Sequence, residues 1–140
     1  MKTMFKTLKT NVLPFALGFL LFSAMQSCSK FDKVGLDNVT NLSTALSELM
    51  GKATGKYSAN TAAITKVTAA LDSAVKHAAG VKKNTEIAEA WKTLQTDLVA
   101  PFLARWKEKG MLDKDVVKEA TTQVTKSLEA IKKAEMAKKK

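Results

Sequence analysis

Four stretches of this chain carry apolar residues at spacings of three and four, which place them on one face of an α-helix. The four sets are Val39, Leu42, Leu46 and Leu49; Ile64, Val67, Leu71, Ala74, Ala78 and Val81; Ile87, Trp91, Leu94, Leu98, Phe102 and Trp106; and Val117, Ala120, Val124, Leu128 and Ile131. A helix with one apolar face must bury it against another element, and only association of the four helices buries all four faces. The sequence therefore predicts an all-α fold.

Short polar segments separate these stretches, so neighbouring helices are predicted to run antiparallel as an up-down-up-down four-helix bundle. We expect helices over about residues 38–53, 59–79, 85–109 and 113–136. Asp37 or Asn38, Ser58 and Asn84 are predicted to cap the first three helices. Gly80 is predicted to end the second helix in the left-handed conformation, and Gly110 to end the third.

Pro101 lies inside the third apolar stretch, where a proline removes one backbone amide and crowds the preceding turn. We expect a kink there. The kink would either bend the helix around the core or open a small apolar pocket. The pocket would be lined by Trp91, Phe102, Arg105 and Trp106. If no pocket forms, we expect the Arg105 side chain to be exposed to solvent.

The first part of the chain has the layout of a secretory signal peptide. Lys2, Lys6 and Lys9 precede an apolar run over residues 12–25. That run is shorter than the about 20 residues that a membrane-spanning helix needs. The only cysteine of the chain, Cys28, follows this run directly. A lone cysteine in an exported protein has no internal disulfide partner.

The junction Met25-Gln26-Ser27-Cys28 resembles the lipobox of bacterial lipoprotein precursors, and most closely those of the Bacteroidota. The resemblance implies that a peptidase cuts before Cys28 after its thiol has received a diacylglycerol. It divides the chain into a leader over 1–27, a lipidated tether over 28–36, the bundle over 37–136 and a basic tail over 137–140. The alternatives are secretion with a free thiol, for which cleavage after Ala24 would leave bulky Phe22 at the −3 position, and a permanent membrane-spanning segment.

The residues after the cysteine indicate where such a lipoprotein would reside. Surface lipoproteins of the Bacteroidota carry an acidic cluster there, whereas this chain has only Asp32 between Lys30 and Lys33. Ser29 resembles lipoproteins that are sorted to an outer membrane. We therefore expect a lipid-anchored protein of the outer membrane that faces the periplasm. Its partners would be the membrane, through the lipid, and another envelope protein; the alternative is a periplasmic carrier or sensor of a small apolar ligand at the Pro101 kink.

Few residues suggest chemistry beyond the anchor. His77 is the only histidine, and pairing it with Met136 as a haem ligand lacks a supporting C-x-x-C-H motif. We therefore expect neither cofactor nor metal, nor the converging groups of an enzyme. After removal of the leader, Arg105 is the only arginine among 20 basic residues, which argues against a nucleic-acid partner. Asp72-Ser73-Ala74 matches the O-glycosylation acceptor of Bacteroidota proteins, which makes Ser73 a candidate modification site.

Overall fold

The computed structural model describes residues 30–139, so the predicted leader, Cys28, Ser29 and Lys140 lie outside the described residues. Four helices make up nearly all of the described chain. Helix α1 comprises Lys33–Gly51, α2 comprises Thr61–Gly80 and α4 comprises Lys114–Ala137. Helix α3 runs as Thr85–Thr93, continues through a π-helical turn over Leu94–Val99 and ends as Ala100–Lys109. Two 3₁₀ turns, Lys52–Thr54 and Tyr57–Ala59, join α1 to α2.

The helices form an up-down-up-down bundle, as the sequence predicts. Helix α1 packs against α2 and α4, and α3 packs against the same two helices. Each helix is therefore antiparallel to the neighbour that follows it in the chain. At the end we call distal, the amide of Leu112 donates to the carbonyl of Ala53 (2.8 Å) and that of Tyr57 to Gly110 (2.8 Å). We call the opposite end basal; there α1 and α3 begin and α2 and α4 end.

The apolar faces predicted from residue spacing form the core. All four members of the α1 face are buried, and Leu46 and Ile131 are fully inaccessible to solvent. The short α2 residues Ala74 and Ala78 are also buried. The core therefore combines small α2 side chains with the large rings of α3.

The third helix departs from the predicted pattern at one position. Val99 is buried and Leu98 is only half-buried, although the four-residue spacing predicts the reverse. The cause is the π-helical turn, in which the amide of Ala100 donates to the carbonyl of Gln95, five residues earlier. A π turn holds an extra residue compared with an α turn, so it rotates the following residues back onto the core face. A kink was predicted at Pro101; the structure has this π-helical turn, which ends two positions before Pro101, a residue without an amide to donate.

Helix α1 begins five residues before the predicted start. The amide of Leu36 already donates to the carbonyl of Asp32 (3.1 Å), and Lys33 pairs with Asp37 one turn later (2.8 Å). The predicted tether over 28–36 is thus wrong for residues 33–36. Gly35 suggested a flexible linker, but it is buried in the first turn of α1.

The last helix, at the same end of the bundle, was also predicted too short. Helix α4 extends to Ala137, and Lys138, placed in the predicted basic tail, is buried. The predicted left-handed Gly80 is wrong as well, since α2 includes Gly80 and Lys83 has the positive φ (57°) instead. Gly110 does end α3 with a φ of 78°.

No side chain makes a capping hydrogen bond at the N-terminus of α1, α2 or α3. Ser58 lies in a 3₁₀ turn, and Asn60 occupies the N-cap position of α2. Asn84 does occupy the N-cap position of α3, but its side chain makes no capping hydrogen bond and instead bonds elsewhere at the basal end.

Candidate functional site

A buried polar cluster lies at the basal end and joins all four helices. We call it the basal cluster, and its members are Asp32, His77, Asn84, Glu135 and Lys138. Asp32 precedes α1, His77 lies in the last turn of α2, Asn84 precedes α3, and the other two lie at the end of α4. Antiparallel packing brings these residues together, although they are far apart in the sequence.

The first half of the cluster is a hydrogen bond between the residue that precedes α1 and the last turn of α2. Nε2 of His77 lies 2.7 Å from Oδ2 of Asp32. The Asp32 side chain is only 12% exposed. Burial disfavours its charged form, but the amide of Gly35, the His77 ring and Lys138 together outweigh burial, so the pKa of Asp32 lies below its ordinary value. Asp32 is therefore a carboxylate that His77 holds against the bundle.

The second half of the cluster is a buried acid beside a buried amine. The side chains of Glu135 and Lys138 are each 1% exposed, and their Oε2 and Nζ atoms are 3.1 Å apart. Lys138 donates a short hydrogen bond to Oδ1 of Asn84, whose Nδ2 donates to the carbonyl of Ala78 (3.0 Å). Neither oxygen of Glu135 receives a well-directed hydrogen bond from the described residues. Burial therefore raises the pKa of Glu135, and Lys138 opposes this only in part.

Gly35 allows the two halves to approach each other. A Cβ atom at this position would lie 2.7 Å from Oδ2 of Asp32 and 2.8 Å from Oε1 of Glu135. These distances are too short for real atoms, so only a glycine leaves room for both carboxyl groups. The charge of Asp32 in turn contributes to the raised pKa of Glu135.

The hydrogen bonds of the basal cluster connect the ends of the helices. The described residues contain no group of three or more side chains that could hold a metal ion. The hydrogen bonds of the cluster join the residue before α1 to the last turn of α2, and the end of α4 to Asn84 and through it to α2. We therefore interpret the cluster as the element that orders the basal end.

The pocket residues predicted from the sequence differ in their exposure to solvent. Trp91, Phe102 and Trp106 are buried in the core, whereas Arg105 is exposed. The indole Nε1 of Trp106 donates to the carbonyl of Gly55 (2.9 Å), and the edge of its ring meets Tyr57 at 5.4 Å between centroids. These aromatic residues therefore fix the α1–α2 connection at the distal end.

An apolar groove of about 450 Å³ does lie beside the π-helical turn, between α2 and α3. Its lining comprises Tyr57, Ile64, Thr65, Thr68, Leu71, Gln95, Val99, Ala100 and Leu103. None of the predicted pocket residues belongs to it, although Ala100 adjoins Pro101. The groove offers an apolar ligand a concave surface.

The remaining candidate residues are simple to place. Ser73 is exposed in the middle of α2, and Ala74 beside it is buried. Asp72, the first residue of that acceptor motif, pairs with Lys76 at 2.8 Å. Cys28 lies outside the described residues.

Glu135 was detectable in the sequence, although its role was not recognised. It follows Ile131 by four residues and so continues the apolar face of α4. A carboxylate on such a face predicts a buried charge that needs a partner. Asp32 and Lys138 carry no such signal, because only the packing of the ends buries them.

Comparisons with protein-family models, with curated proteins and with solved structures found no match to this chain. Within residues 30–139, none of the helices is both long enough and apolar enough to cross a bilayer.

Proposed function

We propose that this protein is a lipoprotein of the cell envelope, anchored through acyl chains on Cys28, whose helical bundle serves as an interaction module. The observation that carries the proposal is the position of the only cysteine, directly after a basic and apolar leader. A diacylglycerol with a further acyl chain gives a stable membrane anchor, whereas one chain binds only reversibly.

The start of the fold supports this arrangement. Asp32 is already part of the basal cluster, and it lies only four positions after Cys28. A chain of that length spans at most about 14 Å. Acyl chains on Cys28 would therefore hold the basal end close to the membrane and direct the distal end towards the aqueous compartment.

The location and partner follow the expectations from the sequence. The residues after Cys28 favour the periplasmic face of an outer membrane, and the exposed helical faces would bind another envelope protein. No catalytic step, cofactor or nucleic acid is part of the proposal.

The anchor is tested by mass spectrometry of the mature N-terminus from native membranes. We expect a chain that begins at Cys28 and carries the added mass of its acyl groups. In the Cys28→Ala variant, that mass and the cleavage before residue 28 should both be lost, while a Ser29→Ala control should be processed normally. A mature chain that begins at an unmodified residue would contradict the proposal.

The groove beside the π-helical turn supports a second candidate function, a carrier of a small apolar ligand. Its lining includes Ile64, Leu71, Val99 and Leu103, and its volume lies in the range of small-molecule sites. The uncharged dye N-phenyl-1-naphthylamine should bind the protein, and Thr68→Phe, which fills the groove, should abolish binding. Thr122→Phe on the exposed side of α4 is the matched control. Equal dye binding by both variants would exclude the groove as a carrier site.

A further inference from the structure

Exposed apolar residues gather at the basal end of the bundle. Four large hydrophobic side chains of the described residues are exposed, and three of them, Phe31 (37%), Val34 (52%) and Met136 (50%), lie at this end. Phe31 and Val34 flank the start of α1, and Met136 lies in the last turn of α4. Nζ of Lys139 lies 5.5 Å from the centre of the Phe31 ring, so the two ends of the described chain meet here.

Exposed lysines accompany these apolar residues. Three separate segments contribute them: the residues around the start of α1, the α2–α3 loop and the end of α4. The exposed lysines are Lys30, Lys33, Lys82, Lys83, Lys133 and Lys139. Their convergence is a result of the antiparallel topology, since 109 positions separate the first from the last in the sequence.

The basal cluster removes negative charge from this surface. Asp32 is held by His77 and is largely buried, and Glu135 is buried beside Lys138. The remaining acids near this end are Glu86, in the first turn of α3, and Asp37, which pairs with Lys33 (2.8 Å). At the distal end, by contrast, Glu108, Asp113 and Asp115 are all exposed among the lysines. The basal end therefore presents positive charge with little compensation.

We propose that this basal face, formed by Phe31, Val34, Met136 and the six exposed lysines, docks directly on an anionic phospholipid surface. Apolar side chains that enter the head-group region and lysines that meet anionic lipids are the two components of peripheral membrane binding. The bundle then lies against the bilayer in a defined orientation rather than moving freely on a tether. This docking goes beyond the proposed anchor, because it needs no acyl chain on Cys28.

Vesicle binding by the full-length chain with Cys28→Ala tests the docking in the absence of an acyl group. Partition coefficients are measured by co-sedimentation with phosphatidylcholine vesicles and with vesicles that also contain phosphatidylglycerol. All variants share the same leader, so differences between them report on the folded domain. We expect the parent chain to bind the anionic vesicles more tightly than the neutral ones.

Two triple variants with the same change in net charge separate docking from general attraction. The basal variant is Lys82→Glu/Lys83→Glu/Lys139→Glu, and the distal control is Lys52→Glu/Lys56→Glu/Lys109→Glu. Each lysine at an anionic surface contributes enough that losing three should weaken binding by roughly 100-fold. We expect this loss in the basal variant and a much smaller loss in the distal one. Equal losses would overturn the proposal, because they would show attraction that depends only on net charge.

A second pair of variants tests the apolar part of the face. Phe31→Ser/Val34→Ser should weaken binding to anionic vesicles roughly tenfold, whereas Met111→Ser, which alters the exposed distal methionine (54%), should not. All altered side chains are exposed or at the rim of the fold, and unchanged thermal unfolding confirms that each variant is folded. If the serine pair binds like the parent, the face does not enter the membrane and the proposal fails. Neither result bears on the acylation of Cys28, which the mass of the mature chain decides separately.

Discussion

Burial raises the pKa of both carboxyl groups of the basal cluster, Asp32 and Glu135, but their partners make the net shifts opposite. Asp32 has a histidine partner, and its pKa is lowered. Glu135 lacks a well-directed donor, and its pKa is raised. Both approach Gly35, so the conformation of the cluster depends on a single position without a side chain.

Replacing Gly35 by alanine tests this dependence. Alanine favours a helix over glycine by about 0.5–1 kcal/mol, but the added Cβ would lie within 2.8 Å of both carboxyl groups. Oδ2 of Asp32 is hydrogen-bonded to His77, and the Glu135 side chain is 1% exposed, so a shift of either group disturbs buried contacts. We expect Gly35→Ala to lower the free energy of unfolding by about 1–3 kcal/mol in urea denaturation.

Gly51 at the other end of the same helix is the matched control. No atom lies within 4 Å of a Cβ built there. Gly51→Ala should leave stability unchanged or raise it by up to about 1 kcal/mol. A Gly35→Ala protein that is as stable as Gly51→Ala would show that the side chains of the basal cluster can rearrange without loss of stability.

The raised pKa of Glu135 predicts a specific pH dependence of stability. Because the folded state binds this proton more tightly than the unfolded state, the contribution is complete below the ordinary pKa of 4.5 and is lost as the pH rises through the folded-state pKa. Glu135→Gln should remove this loss. The lowered pKa of Asp32 acts in the opposite sense: its contribution is present above 3.8 and is lost as the pH falls through the folded-state value, in both proteins alike.

Urea denaturation of the parent and of Glu135→Gln at a series of pH values above 4.5 measures the difference. We expect the stability of the parent to decline relative to the variant as the pH rises. If the free energy of unfolding changes with pH in the same way in both proteins, then the buried pair with Lys138 cancels the effect of burial on the pKa of Glu135.

At the scale of elements, the π-helical turn of α3 places the residues before it and the residues after it on the same apolar face. Trp91 precedes the turn, Leu94 and Val99 are its first and last residues, and Phe102 and Trp106 follow it. All five are buried, although Leu94 and Val99 are five positions apart. A regular α-helix advances 3.6 residues per turn and would rotate the second part away from the core.

Deleting one residue from this turn should therefore be tolerated. Deletion of exposed Asp97 should convert the turn to α-helix while keeping both parts on the core. The deletion is made in a Pro101→Ala background, because proline inside a regular helix costs about 3 kcal/mol. Relative to Pro101→Ala alone, we expect a loss of less than about 1.5 kcal/mol in the free energy of unfolding.

Deletion of exposed Lys126 in the regular helix α4 is the matched control. It turns the residues on one side of the deletion by about 100° relative to the other side. Val124 and Leu128, both buried, could then no longer face the core together. This deletion should lower the free energy of unfolding by more than about 3 kcal/mol. Similar losses of stability for the two deletions would show that the π-helical turn contains no extra residue that the helix can lose.

At the scale of the whole molecule, the bundle has two ends of different character. Aromatic packing and backbone hydrogen bonds close the distal end, where Trp106 contacts the α1–α2 connection. Buried charges close the basal end, which also bears most of the exposed large hydrophobic residues. The two proposals, an acyl anchor on Cys28 and direct docking of the basal face, assign the same end to the membrane from independent observations.

The sequence by itself determined the helices and their apolar faces. Residues spaced by three and four positions lie on one face of any α-helix, so this pattern depends only on the local sequence. The bounds of α3 were also predicted correctly, because Asn84 before it and Gly110 after it are local signals of a helix start and a helix end. The groove and the burial of Val99 were not predictable, since the π-helical turn forms only when both parts of α3 pack on the core.

The tertiary structure alone decided the basal end. The sequence predicted a flexible tether and a basic tail there, because Gly35 and the terminal lysines are typical of exposed segments. Antiparallel packing instead places Asp32 against His77 and Lys138 against Asn84. Pairing between residues 45 and 54 positions apart depends on how the helices assemble, and no local pattern in the chain records it.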